Sequence, residues 1–188
     1  MKLKVCGVTN VEDAVMARAL GADMVGVIGI KGASRFIVAE ELKKIRLYIK
    51  DGLVYVTDSL DAAVEMLNMA YVVQVHRIMK ESEMERLDGR GEVIAYVPAT
   101  EYGSHYIISV REHGFIPLIH AQNGKLNSND LSYFGSISDS GIAGGIGVDN
   151  VHQFLSSGAM FVDSSSGTEE SLGRKSPWKI RHMVGILK

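Results

Sequence analysis

One cysteine in 188 residues leaves no partner for a disulfide within the chain, so nothing in the composition argues for an oxidising, secreted setting. Charge of one sign is just as scarce. Twenty Lys and Arg stand against 22 Asp and Glu, a formal net charge of −2, which gives no footprint for nucleic acid or for an anionic membrane. No apolar run approaches the roughly 18 residues that a membrane-spanning helix needs. The first residues run straight into a strand pattern, with no charged, apolar, small-residue leader. These absences lead to the expectation of a cytoplasmic protein. No low-complexity stretch interrupts the chain, so residues 1–188 are read as one domain, long enough to bury a full core.

What is present is an alternation of two periods. Lys4 to Val8 reads as a strand, stopped by Thr9-Asn10, and Val11, Ala14, Val15 and Ala19 then fall on one helical face before Gly21. Asp23 to Ile30 is a continuous apolar run, the pattern of a strand buried on both faces. A helix carrying Leu42, Ile45 and Ile49 follows, then a strand at Leu53–Thr57, a helix capped by Ser59, a strand at 71–76, and a charged helix at 80–87. The second half repeats the rhythm less cleanly. Strands are expected at 92–97, 115–121, 140–146 and 160–163. A poorly patterned helix at 101–113 is weakened by Gly103 and by the β-branched Ile107-Ile108, a polar turn covers 122–129, and a short helix fits within 130–137. Asp149 is expected to cap a helix, and Ser176-Pro177 opens the last one, with Ile180, Met183, Val184 and Leu187 on its apolar face. Eight βα units in strict alternation specify a parallel sheet and point to a compact (βα)8 TIM barrel. Such barrels usually run to about 200 residues or more, so helices must be short here, and a doubly wound open parallel sheet is the alternative.

In parallel α/β folds ligands bind beyond the C-terminal ends of the strands, so the residues there carry the chemistry. Ala143-Gly144-Gly145 after the seventh strand and Ser165-Ser166-Gly167 after the eighth can present backbone N–H groups to a phosphate without a lysine. Arg35, in a short loop after the second strand, could fork two hydrogen bonds onto a carboxylate. Cys6, His76 and His120 end the first, fourth and sixth strands, placing three titratable groups on one rim, the arrangement an acid–base site needs.

Together these stretches resemble the phosphoribosylanthranilate isomerase family. Lys4-Val5-Cys6-Gly7-Val8-Thr9 is similar to its K-x-C-G-[IL]-T strand, and Gly21-Ala22-Asp23-Met24-Val25-Gly26 to its G-A-D-x-[IV]-G. Ser34-Arg35-Phe36-Ile37 resembles its S-x-R-[YF]-[IV] loop, and Val73-Gln74-Val75-His76 its V-Q-L-H. Ala143-Gly144-Gly145-Ile146 with Asn150-Val151 resembles S-G-G-L…N-V. Val162-Asp163-Ser164-Ser165-Ser166-Gly167 with Glu169 resembles V-D-x-S-S-G-x-E, and Gly173-Arg174-Lys175 the G-x-K that follows. The resemblance implies an Amadori rearrangement of an aminoaldose phosphate in tryptophan biosynthesis, with no metal or organic cofactor because the substrate nitrogen is the electron sink. It implies a small phosphorylated substrate and a monomer or homodimer. Cys6 would be the general base, acting as a thiolate of lowered pKa. Arg35 would hold the anthranilate carboxylate, with His76 also contacting the substrate. Gly144, Gly145, Ser165, Ser166 and Gly167 would hold the phosphate, with Asp163 supporting that end.

The departure lies at the acid. The family ends its sixth strand in a pattern like L-L-D-[AST], whereas this chain reads Leu118-Ile119-His120-Ala121, putting His120 in the aspartate's place. For free side chains, a thiolate beside a protonated carboxylic acid peaks at roughly 1 molecule in 40,000, and beside an imidazolium at roughly 1 in 100. The exchange therefore eases the protonation problem. Three readings follow: an active isomerase with His120 as acid, a non-catalytic phosphosugar-binding barrel, or another small phosphosugar isomerase or epimerase.

Overall fold

The alternation closes into a ring. The parallel strands are β1 (Lys2–Val5), β2 (Met24–Ile28), β3 (Leu53–Thr57), β4 (Val72–Val75), β5 (Val93–Pro98), β6 (Ile116–His120), β7 (Gly141–Ala143) and β8 (Phe161–Ser164). Each pairs with the next, and β8 pairs with β1 from Lys2↔Phe161 to Val5↔Ser164. That last pairing removes the free edges an open doubly wound sheet would have. The chain is seen here in a computed structural model that describes every residue except Ala70 and Asn123. Asn123, part of the polar turn expected at 122–129, lies outside the described residues.

The helices are α1 (Val11–Ala19), α2 (Ala39–Tyr48), α3 (Leu60–Asn68), α4 (Glu81–Glu85), α5 (Glu101–Glu112), α6 (Ser128–Leu131) and α7 (Pro177–Leu187). Local chemistry accounts for their starts. Asn10, Ser59, Thr100 and Ser176 each accept a backbone N–H of the first turn of α1, α3, α5 and α7, a cap worth about 1 kcal/mol. Leu42 and Ile45 of α2, Leu60, Ala63 and Leu67 of α3, and Ile180, Met183 and Leu187 of α7 are the buried faces their spacing required. Full burial of each Leu, Ile or Met contributes about 1.5–3 kcal/mol.

The short length is accommodated by shrinking the outer layer. α4 has 5 residues and α6 only 4. After β7 the expected helix is a single 3-10 turn, Val151–Phe154, preceded by Asn150 rather than by Asp149. Asn150 is drawn away from capping because its Oδ1 accepts the Gly147 N–H and its Nδ2 donates to the Gly145 carbonyl. α5, the least regular in pattern, is the longest helix at 12 residues. Gly103 does not break it, because a Cβ there would collide with the Pro98 carbonyl oxygen; the glycine lets the helix lie against the end of β5. The sequence pattern also missed a hairpin, β9 (Glu169–Ser171) and β10 (Arg174–Lys175), between β8 and α7.

Strand residues alternate between two layers. Leu3, Val5, Val73, Val75, Val97 and Val162 pack under the helices, while Val54, Ile94, Leu118, Ala143 and Phe161 form a separate apolar cluster within the barrel. Lys4, Gln74 and Asp163 share the inward parity with that cluster, and Cys6, His76 and His120 lie two residues further along their strands, or just past them. The interior thus turns from apolar to ionisable toward the C-terminal ends.

Candidate active site

At that end a cavity of about 370 Å³ is lined by Cys6, Gln74, His76, His120, Gly144, Gly145, Asp163, Ser165 and Ser166 together with apolar residues from β2 and β3. Eight of the ten residues singled out from the sequence therefore meet in one place. Gly167 and Arg35 stand beside it. A Cβ on Gly167 would strike the Ile146 carbonyl and Gly147, so two glycines let the loops after β7 and β8 interlock. The amides of Gly144, Gly145 and Ser165 donate to no acceptor among the described residues, which leaves three donors at the cavity edge.

Around Cys6 the barrel register assembles a charge cluster. Lys4 pairs with Asp163 across β1 and β8, and its Nζ donates to Asp163 Oδ2 at 2.9 Å and to Gln74 Oε1 at 2.8 Å. This lysine is fully buried. Space for it comes from Gly26, where a Cβ would lie 2.8 Å from Cys6 Sγ and 3.1 Å from Lys4 Nζ. Burial works to lower the Lys4 ammonium, but Asp163 and Cys6 outweigh it, and its pKa stands above the ordinary lysine value. For Cys6 the balance opposes the expectation of a lowered pKa. Burial and then the Asp163 carboxylate push the thiol up, and Lys4 and Lys175 pull back only in part. The resting side chain is a thiol. Asp163 stands with Lys4 beside Cys6, and its Oδ1 is buried without a partner among the described residues, as is Ser165 Oγ.

The two histidines lie edge to face, ring centroids 5.1 Å apart, with Tyr96 5.3 Å from His76 and 5.6 Å from His120. His120 Nδ1 is 2.7 Å from the Ala121 carbonyl oxygen. A carbonyl only accepts, so Nδ1 carries a proton and Nε2 is the exchanging atom. Burial, and then the neighbouring His120, lower the His76 pKa from 6.5 to about 4. An unfolded histidine titrating near 6.5 binds a proton that folded His76 refuses until about pH 4. Stability therefore falls as pH drops through that window and levels off below it, by about 3 kcal/mol. A urea-unfolding series from pH 7.5 to 4 is expected to show this loss in the parent and most of it removed in His76→Asn. Equal pH slopes in both would rule the assignment out.

Arg35 is engaged: its Nε and Nη2 both reach Glu169 at 2.6 Å, and its Cδ packs against Gly7, which adopts φ +72°. Glu169 also takes Lys175 at 3.0 Å. Burial alone would raise the Glu169 carboxyl, but Arg35 and Lys175 hold it below the usual range. Lys175, itself buried, donates to the carbonyls of Cys6 at 2.6 Å and Ser165 at 3.1 Å, tying the ends of β1 and β8 together. Lys4, Gln74, Glu169 and Lys175 stand in the motifs quoted from the sequence but were given no role there. Lys4 and Gln74 each stand two residues before a chosen strand-end residue, and that period-2 spacing is the signal that reaches them.

The chain's likeness to known proteins agrees with this geometry. The family model for N-(5'-phosphoribosyl)anthranilate (PRA) isomerase matches residues 3–185. The N-(5'-phosphoribosyl)anthranilate isomerase of Sulfolobus acidocaldarius is 31% identical over 198 residues, covering 100% of this chain and 97% of that protein. The crystal structure of phosphoribosyl anthranilate isomerase from Thermotoga maritima superposes with a TM-score of 0.85 at 23% identity, covering 100% of this chain and 98% of the other. A structure of phosphoribosyl anthranilate isomerase in complex with reduced 1-(o-carboxyphenylamino)-1-deoxyribulose 5-phosphate superposes at 0.83 and 24% identity, again covering 100% and 98%. At those identities the two structures speak for the fold, and the family rests on the extent of the sequence match: the chain belongs to the N-(5'-phosphoribosyl)anthranilate isomerase family.

Proposed function

We infer that the chain is an aldose–ketose isomerase that converts N-(5'-phosphoribosyl)anthranilate to 1-(2-carboxyphenylamino)-1-deoxyribulose 5-phosphate in tryptophan biosynthesis. The observation that carries this reading is the meeting of Cys6 and His120 on one cavity whose other edge is lined by Gly144, Gly145, Ser165 and Ser166. The phosphate takes the free amides after β7 and β8, which suit a dianion. His120, protonated at Nε2, gives its proton to the furanose ring oxygen as the ring opens to a Schiff base. Cys6 as thiolate removes the C2′ proton, the electron pair runs toward the iminium nitrogen, and the resulting enolamine becomes the ketone.

The remaining assignments follow from which hydrogen-bonding groups are left over. Glu169 occupies the Nε–Nη2 edge of Arg35 and Nη1 has only the long 3.4 Å contact to Ser34 Oγ, leaving the Nη1–Nη2 edge for the anthranilate carboxylate. Arg35→Ala is expected to raise KM at least 10-fold, the scale of one charge-assisted hydrogen bond. The pairing with Glu169 adds a stability loss of about 1–3 kcal/mol, where a free arginine would have cost nothing. A stability loss with unchanged KM would assign Arg35 to the fold alone.

The decisive assay generates the substrate enzymatically and follows loss of its fluorescence. Turnover is expected. Absence of turnover together with binding of the reduced product analogue would identify a phosphosugar-binding barrel, the reading that His120 in place of a carboxylic acid keeps in play.

A further inference from the structure

Gln74 takes no part in the steps above, yet it is nearly inaccessible and joins the charge cluster to the histidine pair. Its orientation is settled by its neighbours. Lys4 Nζ has only protons to offer, so the amide oxygen must face it, at 2.8 Å. The amide nitrogen then faces His76 Nδ1 at 3.2 Å. An amide N–H only donates, so Nδ1 must accept and the single proton of neutral His76 sits on Nε2. His76 Nε2 meets no acceptor among the described residues, and the ring lines the cavity. His120, held through Nδ1–H, carries the opposite tautomer.

We propose that Gln74 is a positioning residue that locks His76 as a neutral Nε2–H donor to a sugar oxygen of the substrate, leaving His120 as the only histidine of the pair that exchanges protons. This rests on the substrate reading given above. A neutral imidazole can act as a hydrogen-bond donor through a reaction without releasing its proton. The surroundings keep His76 in that state. Lys4 on β1 and His120 on β6 oppose its protonation, Asp163 on β8 and Asp58 after β3 favour it, and burial outweighs them all; the Tyr96 ring on β5 packs against it. A fixed tautomer on His76 gives the two rings, whose centroids lie 5.1 Å apart, distinct roles.

The test is Gln74→Glu, nearly isosteric but able only to accept. It should pull the His76 proton to Nδ1, leave Nε2 as a bare lone pair, and raise the His76 pKa. Two-bond 1H–15N correlation spectra of the parent should show His76 as the Nε2–H tautomer, without titration, from pH 5.5 to 8.5. Gln74→Glu should show Nδ1–H or a protonated ring. Its kcat/KM and its affinity for the reduced product analogue should both fall on the order of 10- to 100-fold, the usual cost of losing an orienting partner. Gln74→Met, which offers nothing to Nδ1, should give mixed tautomers and an intermediate loss, and serves if the glutamate variant does not fold. A parent His76 that carries its proton on Nδ1, or that titrates near neutral pH, overturns the proposal. So does a Gln74→Glu protein with the tautomer inverted and parent-like affinity for the analogue. A parent that binds the analogue without turnover would remove the isomerase reading, while the spectra and the affinity series would still decide the role of Gln74.

Discussion

Cys6→Ser is expected to leave the fold and the affinity for the product analogue near parent values, while kcat falls by on the order of 10²–10⁴, the contribution of a positioned general base. The exchange keeps size and shape, so the barrel end tied down by Lys175 on the Cys6 carbonyl is undisturbed. What changes is acidity. Abstraction of the C2′ proton needs a base that can exist deprotonated, and a serine hydroxyl beside Asp163 has far less access to its anion than a thiol. The native thiol is itself held up by burial and by Asp163, with Lys4 and Lys175 opposing. Turnover therefore draws on a minority thiolate stabilised by Lys4. Since Cys6 is the only cysteine, iodoacetamide alkylation reads it without ambiguity. The rate should rise with pH through a midpoint above that of free cysteine, about 8.5, and Lys4→Met should move that midpoint higher still. A midpoint below the free value, or a Cys6→Ser protein that turns over like the parent, would reassign the base.

His120→Ala should lower kcat by on the order of 10²–10⁴ with little change in KM. The ring is oriented by the Ala121 carbonyl and by edge-to-face packing on His76, so its exchanging Nε2 is held in place before substrate arrives. Alanine removes the proposed proton donor but leaves the Gly144, Gly145 and Ser165 amides and Arg35, the groups assigned to substrate binding in the proposal. His76 cannot substitute, because its pKa of about 4 keeps it neutral under assay conditions. His120→Asp returns a carboxylic acid to that strand end and should retain measurable turnover. Parent-like rates in His120→Ala would require another acid. Loss of analogue binding in step with loss of rate would make His120 a binding group.

How far the site could be read from sequence depended on the distance over which each feature is encoded. The strand at Leu53–Thr57 and the helix beginning after Asn10 match their expected bounds, because periodicity and caps are written within a few residues. The C-terminal-end rule then carried Cys6, His76, His120, Gly144, Gly145, Ser165 and Ser166 onto one rim. The misreadings lay where a distant segment overrides local preference. The helix expected behind Asp149 shrinks to a 3-10 turn behind Asn150, whose side chain braces Gly145 and Gly147, and the hairpin of β9 and β10 went unread.

By itself, then, the sequence determined the alternation, the eight strands and the residue types at the strand ends, all of them short-range and periodic. Only the tertiary structure decided the charges. Lys4 meets Asp163 across 159 positions, Arg35 meets Glu169 across 134, and Lys4 meets Gln74 across 70. Those pairings exist only once β8 closes on β1 and the hairpin folds over the rim. The state of Cys6 is a sum over all such neighbours and over burial, and its thiol is raised where the family pattern implied it lowered. Electrostatic energy depends on separation in space and on exclusion of water, and neither is a property of position along the chain.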